Sequence, residues 1–333
     1  MVAKACTDGL RRVLAAPAIV AGVFAATLVA ALPLALVMRA TIAAHLGRSL
    51  MADRAADGVN YDWWQEFMSQ ASGIGTTFTP SVIGFAATLD NLSSVLDGRP
   101  EILSITAALA VYLMVWTFLS GGIIDRYARQ RATRADGFFA AAGVFFWRFL
   151  RLTAIAGIVY WFLFTQVHGW LFDDLYPRLT RDLSVERDAF LWRVALYAVF
   201  AALLAVTTVI FDYARIRTVV EDRRSIVGSL LAALAFIGRN PARVAGVYAL
   251  NALAFLVVIG VWAGVAPGAS GAGLSVWLGL LGSQIFVLAR LLVKLQGLSS
   301  QTALFQRLLA HAGYTAVPAP VWPESPAAEA IRA

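Results

Sequence analysis

Two segments of the chain place an aspartate and an arginine on one face of a helix. Asp125 and Arg129 are four residues apart in the sequence Asp-Arg-Tyr-Ala-Arg, and Asp212 and Arg215 are three apart in Asp-Tyr-Ala-Arg. Acid and arginine at these spacings are neighbours on a helix surface and compensate each other. Such pairs can bind a lipid phosphate or couple the two halves of a transporter. The alternative, which we adopt, is a helix-end anchor at the water boundary, with the tyrosines of both segments at headgroup depth.

Four further polar residues complete the set of candidate contacts. Arg148 and Arg239 each lie near the end of an apolar stretch in an inner loop, so they join the two pairs as candidates for contact with lipid or with a protein partner. Asn251 and Gln284 lie inside predicted spans and are candidates for an interior contact, which we interpret as interhelical hydrogen bonding. The spans hold no Asp or Glu well inside them, which argues against a carrier coupled to protons or sodium.

The sequence lacks the residue patterns that are typical of an active site or a metal site. Its three histidines, His45, His168 and His311, are far apart, and Cys6 is its single cysteine. Neither a metal-ligand pair nor a disulfide within one chain is therefore predicted. We predict no catalytic residue, no cofactor and no metal ion, and we interpret Cys6 as an inert thiol.

The composition is that of an integral membrane protein. Hydrophobic residues make up 60% of the chain and charged residues 14%, and the mean hydropathy is +0.73. A helix needs about 20 apolar residues to cross a hydrocarbon core of about 30 Å. The first apolar stretch is too long for a signal peptide, so we interpret it as a retained helix. The sequence predicts an all-α, polytopic membrane helix bundle with interfacial amphipathic helices and about six transmembrane helices, at 13–38, 102–124, 152–167, 189–211, 244–265 and 271–289.

The distribution of charge predicts how the spans are oriented. With the N-terminus inside, 19 of the 27 lysines and arginines fall in inner segments, and 12 of the 20 acidic residues fall outside. By the positive-inside rule, this arrangement predicts cytoplasmic N- and C-termini. Topology and attraction to anionic lipid then explain the net charge of +7, and nucleic acid is not a predicted partner.

The two aspartate-arginine segments belong to a parallel repeat. Each ends an apolar span and precedes a charged stretch, a second apolar stretch and a return span, so that residues 102–167 and 189–265 form two copies. The second apolar stretches, 138–150 and 225–238, are too short to span and fit interfacial helices or helices tucked among the bundle. Only the second is followed by a proline, Pro241, which leaves one long bent helix open for the first copy.

The outer loop 48–100 carries helical patterns of its own. Apolar side chains recur at helical spacing from Asn60, and a second helix is predicted to begin at Thr79-Pro80. We interpret the loop as a cap over the helix ends, and a lid or a re-entrant substrate gate is the functional alternative. The predicted apolar face of the first helix consists of Tyr61, Trp64, Phe67, Met68 and Ala71.

The chain continues past the sixth predicted span. Residues 295–314 keep an apolar pattern and are interpreted as an extension that lies along the inner membrane surface. Residues 312–333 are rich in proline and alanine and are predicted to be a disordered cytoplasmic tail. Residues 1–311 are predicted to form a single transmembrane bundle.

The order of segments resembles that of uncharacterised six-span inner-membrane proteins of bacteria, up to about Gln306. The resemblance rests on Asp-Arg-Tyr-Ala-Arg at 125–129, Asp-Tyr-Ala-Arg at 212–215 and Arg-Asn-Pro-Ala-Arg at 239–243, and it implies no catalytic residue. We expect a non-enzymatic structural, assembly or lipid-interacting membrane component. Its expected partners are the lipid bilayer and either a membrane protein or a second copy of the chain. A transporter or permease for a small solute or lipid is the alternative.

Overall fold

The protein is a bundle of α-helices. The computed structural model describes residues 1–56, 60–78, 93–98, 103–130, 134–266 and 274–311, and within these ranges it contains no β-strand. Six of the described helices are long and apolar enough to cross a membrane. The predicted all-α membrane bundle is therefore confirmed. Of the helix predicted from Thr79, residues 79–92 lie outside the described residues, whereas residues 93–96 are helical and the chain turns at Asp97 and Gly98, where the helix was predicted to end. The tail 312–333 also lies outside the described residues.

The helices are numbered here in chain order. They are α1 (Val2–Leu14), α2 (Pro17–Leu46), α3 (Ala52–Ala56), α4 (Tyr61–Gln70), α5 (Leu103–Arg129), α6 (Ala135–Thr180), α7 (Glu186–Val220), α8 (Ile226–Arg239), α9 (Pro241–Val265) and α10 (Leu274–His311). A 3₁₀ turn at Gly73–Thr77 follows α4. The six long helices are α2, α5, α6, α7, α9 and α10.

The two copies of the predicted repeat differ in the return half. In the first copy, residues 138–150 are not a separate interfacial helix but part of α6, which continues through π-helical turns at Leu163–Val167 and Trp170–Leu175. No proline interrupts α6 before its last turns, so the helix has no reason to break. In the second copy, Pro241 starts a new helix, and α8 and α9 are separate.

The outer segment packs onto the far ends of the long helices, as a cap does. Asn60 caps α4 by accepting a hydrogen bond from the backbone N–H of Trp63. The buried face of α4 is Trp63 and Phe67, which pack around His45 at the end of α2. The predicted face was therefore partly wrong, because Tyr61 is 62% exposed. The shift arises because the side chains must meet the end of α2, a contact that periodicity alone does not locate.

The last half of α10 is the most enclosed part of the molecule. Residues 297–305 of α10 are all buried, and the helix continues to His311 without a break. The prediction that residues 295–314 lie along the membrane surface was therefore wrong for the described part of that segment. We call the region around it the helix junction, which consists of α1, the last turns of α5 and α7, α8, and residues 295–306 of α10.

Small residues allow α1 and α10 to approach closely at the helix junction. Ala5, Gly9 and Val13 lie four residues apart on the buried face of α1. A Cβ atom placed on Gly9 would lie 2.6 Å from Ser300 Oγ and 2.7 Å from Ser300 N. Ser299, Ser300 and Thr302 of α10 are fully buried in the same region. The two helices therefore meet at backbone distance, as in the small-residue interfaces of membrane proteins.

The spans themselves are held much more loosely than the helix junction. Among the described residues, Val23 is the buried residue of α2. In the most apolar 18-residue stretch of each helix, 6% of the residues of α2 are buried, against 39% of those of α5. The exposed side chains of α2 include Leu28, Val29, Leu32, Leu36 and Val37. Apolar surface of this extent is stable only when lipid or another membrane protein covers it.

We predict that Gly9→Ala destabilises the protein, whereas Gly260→Ala does not. Alanine is favoured over glycine in a helix by roughly 0.5–1 kcal/mol, and a Cβ on Gly260 meets nothing within 4 Å. On Gly9 the added carbon collides with the backbone of α10, and overpacking of this kind costs about 1–3 kcal/mol. The midpoints of thermal unfolding in detergent should therefore move in opposite directions. Equal shifts for the two variants would contradict the close approach of α1 and α10.

Candidate functional site: the helix junction

Side chains of α1 and α10 bind the backbone carbonyl groups of the first motif, at the end of α5. The Arg12 Nη1 group of α1 donates to the carbonyl oxygen of Tyr127 at 3.0 Å and to Gln306 Oε1 at 2.8 Å. Gln306 Nε2 of α10 donates to the carbonyl oxygen of Ala128 at 2.9 Å. The last carbonyls of a helix have no partner within the helix and carry its negative dipole end. Arg12 and Gln306 therefore cap α5 with one positive charge and two donors.

A second contact fastens α1 to α10. Arg307 Nε donates to Asp8 Oδ2 at 2.9 Å, and Arg307 Nη2 binds the same oxygen. About three turns earlier on α10, Gln296 Nε2 donates to the carbonyl oxygen of Cys6 at 2.7 Å. Burial raises the pKa of the Cys6 thiol, which lowers its thiolate fraction and hence its reactivity.

The first predicted pair is formed in the structure. Arg129 Nε lies 2.6 Å from Asp125 Oδ1, with the arginine side chain 44% exposed. Between them, Tyr127 is completely buried, as is Tyr213 in the second motif. Both tyrosines pack inside the protein, where α10 extends past the level of the motifs and α1 packs beside it. Their predicted depth at the headgroups stays a prediction.

The second predicted pair is part of a more enclosed polar group. Asp212 Oδ1 lies 3.6 Å from Arg215 Nη1, and Tyr248 Oη of α9 donates to Asp212 Oδ2 at 2.9 Å. Lys294 of α10 is close enough to act on the charge of Asp212 and lies 3.5 Å from the ring centroid of Trp116. The second motif therefore links α7 to α9 and faces α10, whereas the first is held by α1 and α10.

Of the two remaining arginine candidates, only Arg148 forms an ion pair among the described residues. Arg148 Nη1 of α6 donates to Asp222 Oδ1 at 2.6 Å, in the turn between α7 and α8, so this contact joins the two copies of the repeat. Arg239 at the end of α8 is exposed. Sequence reasoning missed Glu221, whose side chain is only 4% exposed and binds Arg217 and Arg223. The four-residue spacing of Arg217 and Glu221 was the signal that could have found it.

The two interior amides are not brought together. Asn251 Nδ2 donates to the carbonyl oxygen of Val247 in its own helix. Trp262 of α9 stacks on Phe286 of α10 at 4.7 Å, which fixes how these antiparallel helices are aligned. Asn251 is eleven residues before Trp262, so it lies about 16 Å along the helix from that contact, whereas Gln284 is within one turn of it. No shared polar contact links the two side chains among the described residues.

The chemistry available at the helix junction is pairing and hydrogen bonding. Within the described ranges, no group of three or more His, Cys, Asp or Glu side chains is placed to hold a metal ion. His45 packs against Phe67, and His168 packs against Phe172 while its Nε2 lies 3.0 Å from the carbonyl oxygen of Leu96. The acids and arginines that the sequence singled out mostly bind each other or backbone carbonyls.

Comparisons of the chain with protein-family models, curated proteins and solved structures gave no match. The resemblance to six-span bacterial inner-membrane proteins therefore stays a prediction.

We predict that Arg215→Gln destabilises the protein more than Arg129→Gln, although the Asp125–Arg129 contact is the shorter one. Arg215 is 20% exposed and Asp212 16%, so removing the arginine leaves a largely enclosed carboxylate, at a cost of about 2 kcal/mol or more. In the first pair, Asp125 is only 10% exposed but Arg129 is 44% exposed, so water can take the place of the arginine beside the carboxylate, and the loss of Arg129 costs about 1 kcal/mol or less. Thermal unfolding of both variants in detergent measures the difference.

The double variant Asp212→Asn with Arg215→Gln is the control. It removes the stranded charge, so it should recover part of the stability lost in Arg215→Gln. If Arg129→Gln proved as damaging as Arg215→Gln, burial would not be what distinguishes the two motifs.

Proposed function

We propose that this chain is a non-enzymatic, lipid-interacting structural component of a bacterial inner membrane, which it crosses six times. The observation that carries the proposal is the separation of polar and apolar side chains. Ionisable side chains tie helices together at this end of the bundle, as Asp8 and Arg307 do between α1 and α10 and Asp212 and Tyr248 do between α7 and α9, while the spans expose large apolar side chains. A protein organised in this way uses its charges to hold its own shape and offers lipid a broad surface.

The proposed orientation places the helix junction and both termini in the cytoplasm. α1 and the end of α10 pack together, so both ends of the described chain lie at one end of the bundle. That end carries the arginines of both motifs and of the segments that follow them. Arginine-rich segments next to spans are retained on the cytoplasmic side, which supports this orientation.

The proposed partners are lipid and another membrane protein or a second copy of the chain. In α2 and in α10, only 6% of the residues in the most apolar 18-residue stretch are buried. Nearly the whole circumference of each stretch is therefore available for contact within the membrane. Lipid satisfies such a surface without specific contacts. A protein partner would add packing against the same helices.

Transport is the second candidate, and one observation favours it. Lys294 and Arg290 lie on α10 within a membrane-spanning helix, with Lys294 near Asp212 of α7. Charged side chains at such positions often line a substrate path. A transporter of this kind would carry water or substrate past Asn251 and Gln284, so the accessibility of these two positions separates the candidates.

We predict that cysteines at Asn251 and Gln284 are not labelled by a charged, membrane-impermeant thiol reagent. Each is placed singly in a Cys6→Ala background, since Cys6 is the only native cysteine. A structural protein leaves both positions facing lipid or protein, where a charged reagent does not enter. Labelling of both positions would contradict the structural proposal and support a water-filled transport path.

Two matched cysteines control the labelling and test the orientation. Arg224→Cys lies at an exposed position of the helix junction, and Ser69→Cys lies at an exposed position of α4. Arg224→Cys should react only in inverted vesicles and Ser69→Cys only in intact cells with a permeable outer membrane. The reverse pattern would overturn the proposed cytoplasmic termini.

A further inference from the structure

An apolar groove runs along the membrane face of the bundle, between α2, α5 and the start of α6. Its volume is about 660 Å³. Small residues of α2 form one wall, and larger apolar residues of α5 and α6 form the other. The groove is lined in part by Ala18, Gly22, Ala26, Val115, Leu119 and Phe138.

A polar pocket of about 300 Å³ adjoins this groove at the helix junction. Ala15 and Arg126 line both spaces, so the two are neighbours. The polar pocket is also lined by Asp8, Arg11 and Arg12. Arg134 lies at the same end of the groove as Arg126. The combined space is therefore basic at one end and apolar along its length.

The basic groups at this opening differ in how far they are already bound. Asp8 binds Arg307, and Arg12 binds Gln306 and a carbonyl of α5, so these two are committed to the helix junction. Arg126 makes one long hydrogen bond, 3.4 Å, to the carbonyl oxygen of Ala15. Arg11, Arg126 and Arg134 form no ion pair with a carboxylate among the described residues.

The length of the groove matches one leaflet of a bilayer. Arg126 and Val115 both belong to α5 and are eleven residues apart, which corresponds to about 16 Å along the helix axis. Half of a hydrocarbon core of about 30 Å is about 15 Å. A molecule with a negative group at the arginines and an apolar chain reaching Val115 would therefore fill the space from the membrane surface to the bilayer centre.

We propose that this groove and pocket bind one anionic phospholipid from the leaflet at the helix junction. The acyl chain lies between α2 and α5, and the phosphate and headgroup lie between Arg11, Arg126 and Arg134. The proposal rests on the lipid-interacting function proposed above and adds a site and a headgroup class. An anionic lipid is favoured over a zwitterionic one because three arginines at the opening have no carboxylate partner among the described residues and would repel a headgroup ammonium.

The site differs from the lipid contacts that the sequence indicated. Asp125 and Arg129, and likewise Asp212 and Arg215, are occupied with each other. The three arginines that have no carboxylate partner among the described residues lie on α1, at the second position of the first motif in α5, and just before α6. Arg126, next to Asp125, therefore supplies a lipid contact, whereas Asp125 pairs with Arg129 within the protein.

Native mass spectrometry of the full-length protein in detergent tests the proposal. The protein is titrated with phosphatidylglycerol, with phosphatidylethanolamine of the same acyl chains, and with inorganic phosphate. We expect phosphatidylglycerol to bind more tightly than phosphatidylethanolamine, in a one-to-one complex. One arginine near an anionic lipid contributes about fivefold in affinity, so Arg126→Gln with Arg134→Gln should weaken phosphatidylglycerol binding by about 25-fold. The phosphatidylethanolamine affinity should change much less.

Arg224→Gln is the matched charge control. Arg224 is an exposed arginine at the same end of the bundle but outside the groove, so this variant should keep the wild-type preference. Thermal unfolding of the double variant shows whether it remains folded. If it does not, the single variant Arg134→Gln replaces it, because Arg134 precedes α6 and is exposed.

The acyl-chain half of the site has its own pair of variants. A Cβ on Gly22 or on Gly157 meets nothing within 4 Å, but only Gly22 lines the groove. Gly22→Leu should fill the groove and weaken phosphatidylglycerol binding, and Gly157→Leu should not. If both variants bind phosphatidylglycerol as the wild type does, the acyl chain does not occupy this groove.

Three results would overturn the proposal. Equal affinity for the two phospholipids would remove the anionic preference while leaving a general lipid-interacting function intact. Inorganic phosphate that binds as tightly as phosphatidylglycerol and displaces it would show a phosphate site without a lipid chain. A dimer that Gly22→Leu dissociates would assign the groove to a second copy of the chain. Absence of any bound lipid would instead contradict the proposed function itself.

Discussion

The close contact between α1 and α10 is the constraint on which the rest of the helix junction depends. Gly9 lies against the backbone of Ser300, with no room for even one additional carbon atom. This contact sets α1 beside α10 so that Arg12 and Gln306 reach the same helix end, the last carbonyls of α5. The buried hydroxyls of Ser300 and Thr302 donate to carbonyl oxygens of α10 itself, so the close approach leaves neither hydroxyl without an acceptor. The first and last described helices thus close the bundle at one end.

Sequence reasoning predicted the local features and missed those that depend on distant partners. Six spans follow from length and apolar composition, and the pairs Asp125–Arg129 and Asp212–Arg215 follow from helical spacing. The sequence pattern of an apolar helix face is the same whether lipid or protein covers that face. Residues 297–305 of α10 could therefore not be recognised as part of a protein core. Arg12 and Gln306 are 294 residues apart, and no spacing rule relates them. The exposure of Tyr61 and the burial of Trp63 were missed for the same reason, because the partner is α2.

The duplicated motif serves different neighbours in its two copies. In the first copy it ends α5 and receives donors from α1 and α10, and its neighbour Arg126 is left facing the groove. In the second, Asp212 is held by Arg215 and Tyr248, and α7 continues to Val220 before α8 turns back along it. The two copies of the motif are thus attached to different helices: the first to α1 and α10, and the second to α9. This difference, together with the loosely held α2, creates the one-sided groove that a lipid fits.

A double-mutant cycle between Arg12 and Gln306 measures whether α1 and α10 hold the end of α5 together. The variants are Arg12→Met, Gln306→Leu and the pair, with the free energy of unfolding measured in mixed detergent micelles. If the two side chains cap α5 together, their effects are not additive, and a coupling energy of about 1 kcal/mol or more is expected for residues in one hydrogen-bond network. Additive effects, with a coupling energy near zero, would mean that α1 and α10 do not jointly hold the end of α5, and would contradict the helix junction as described.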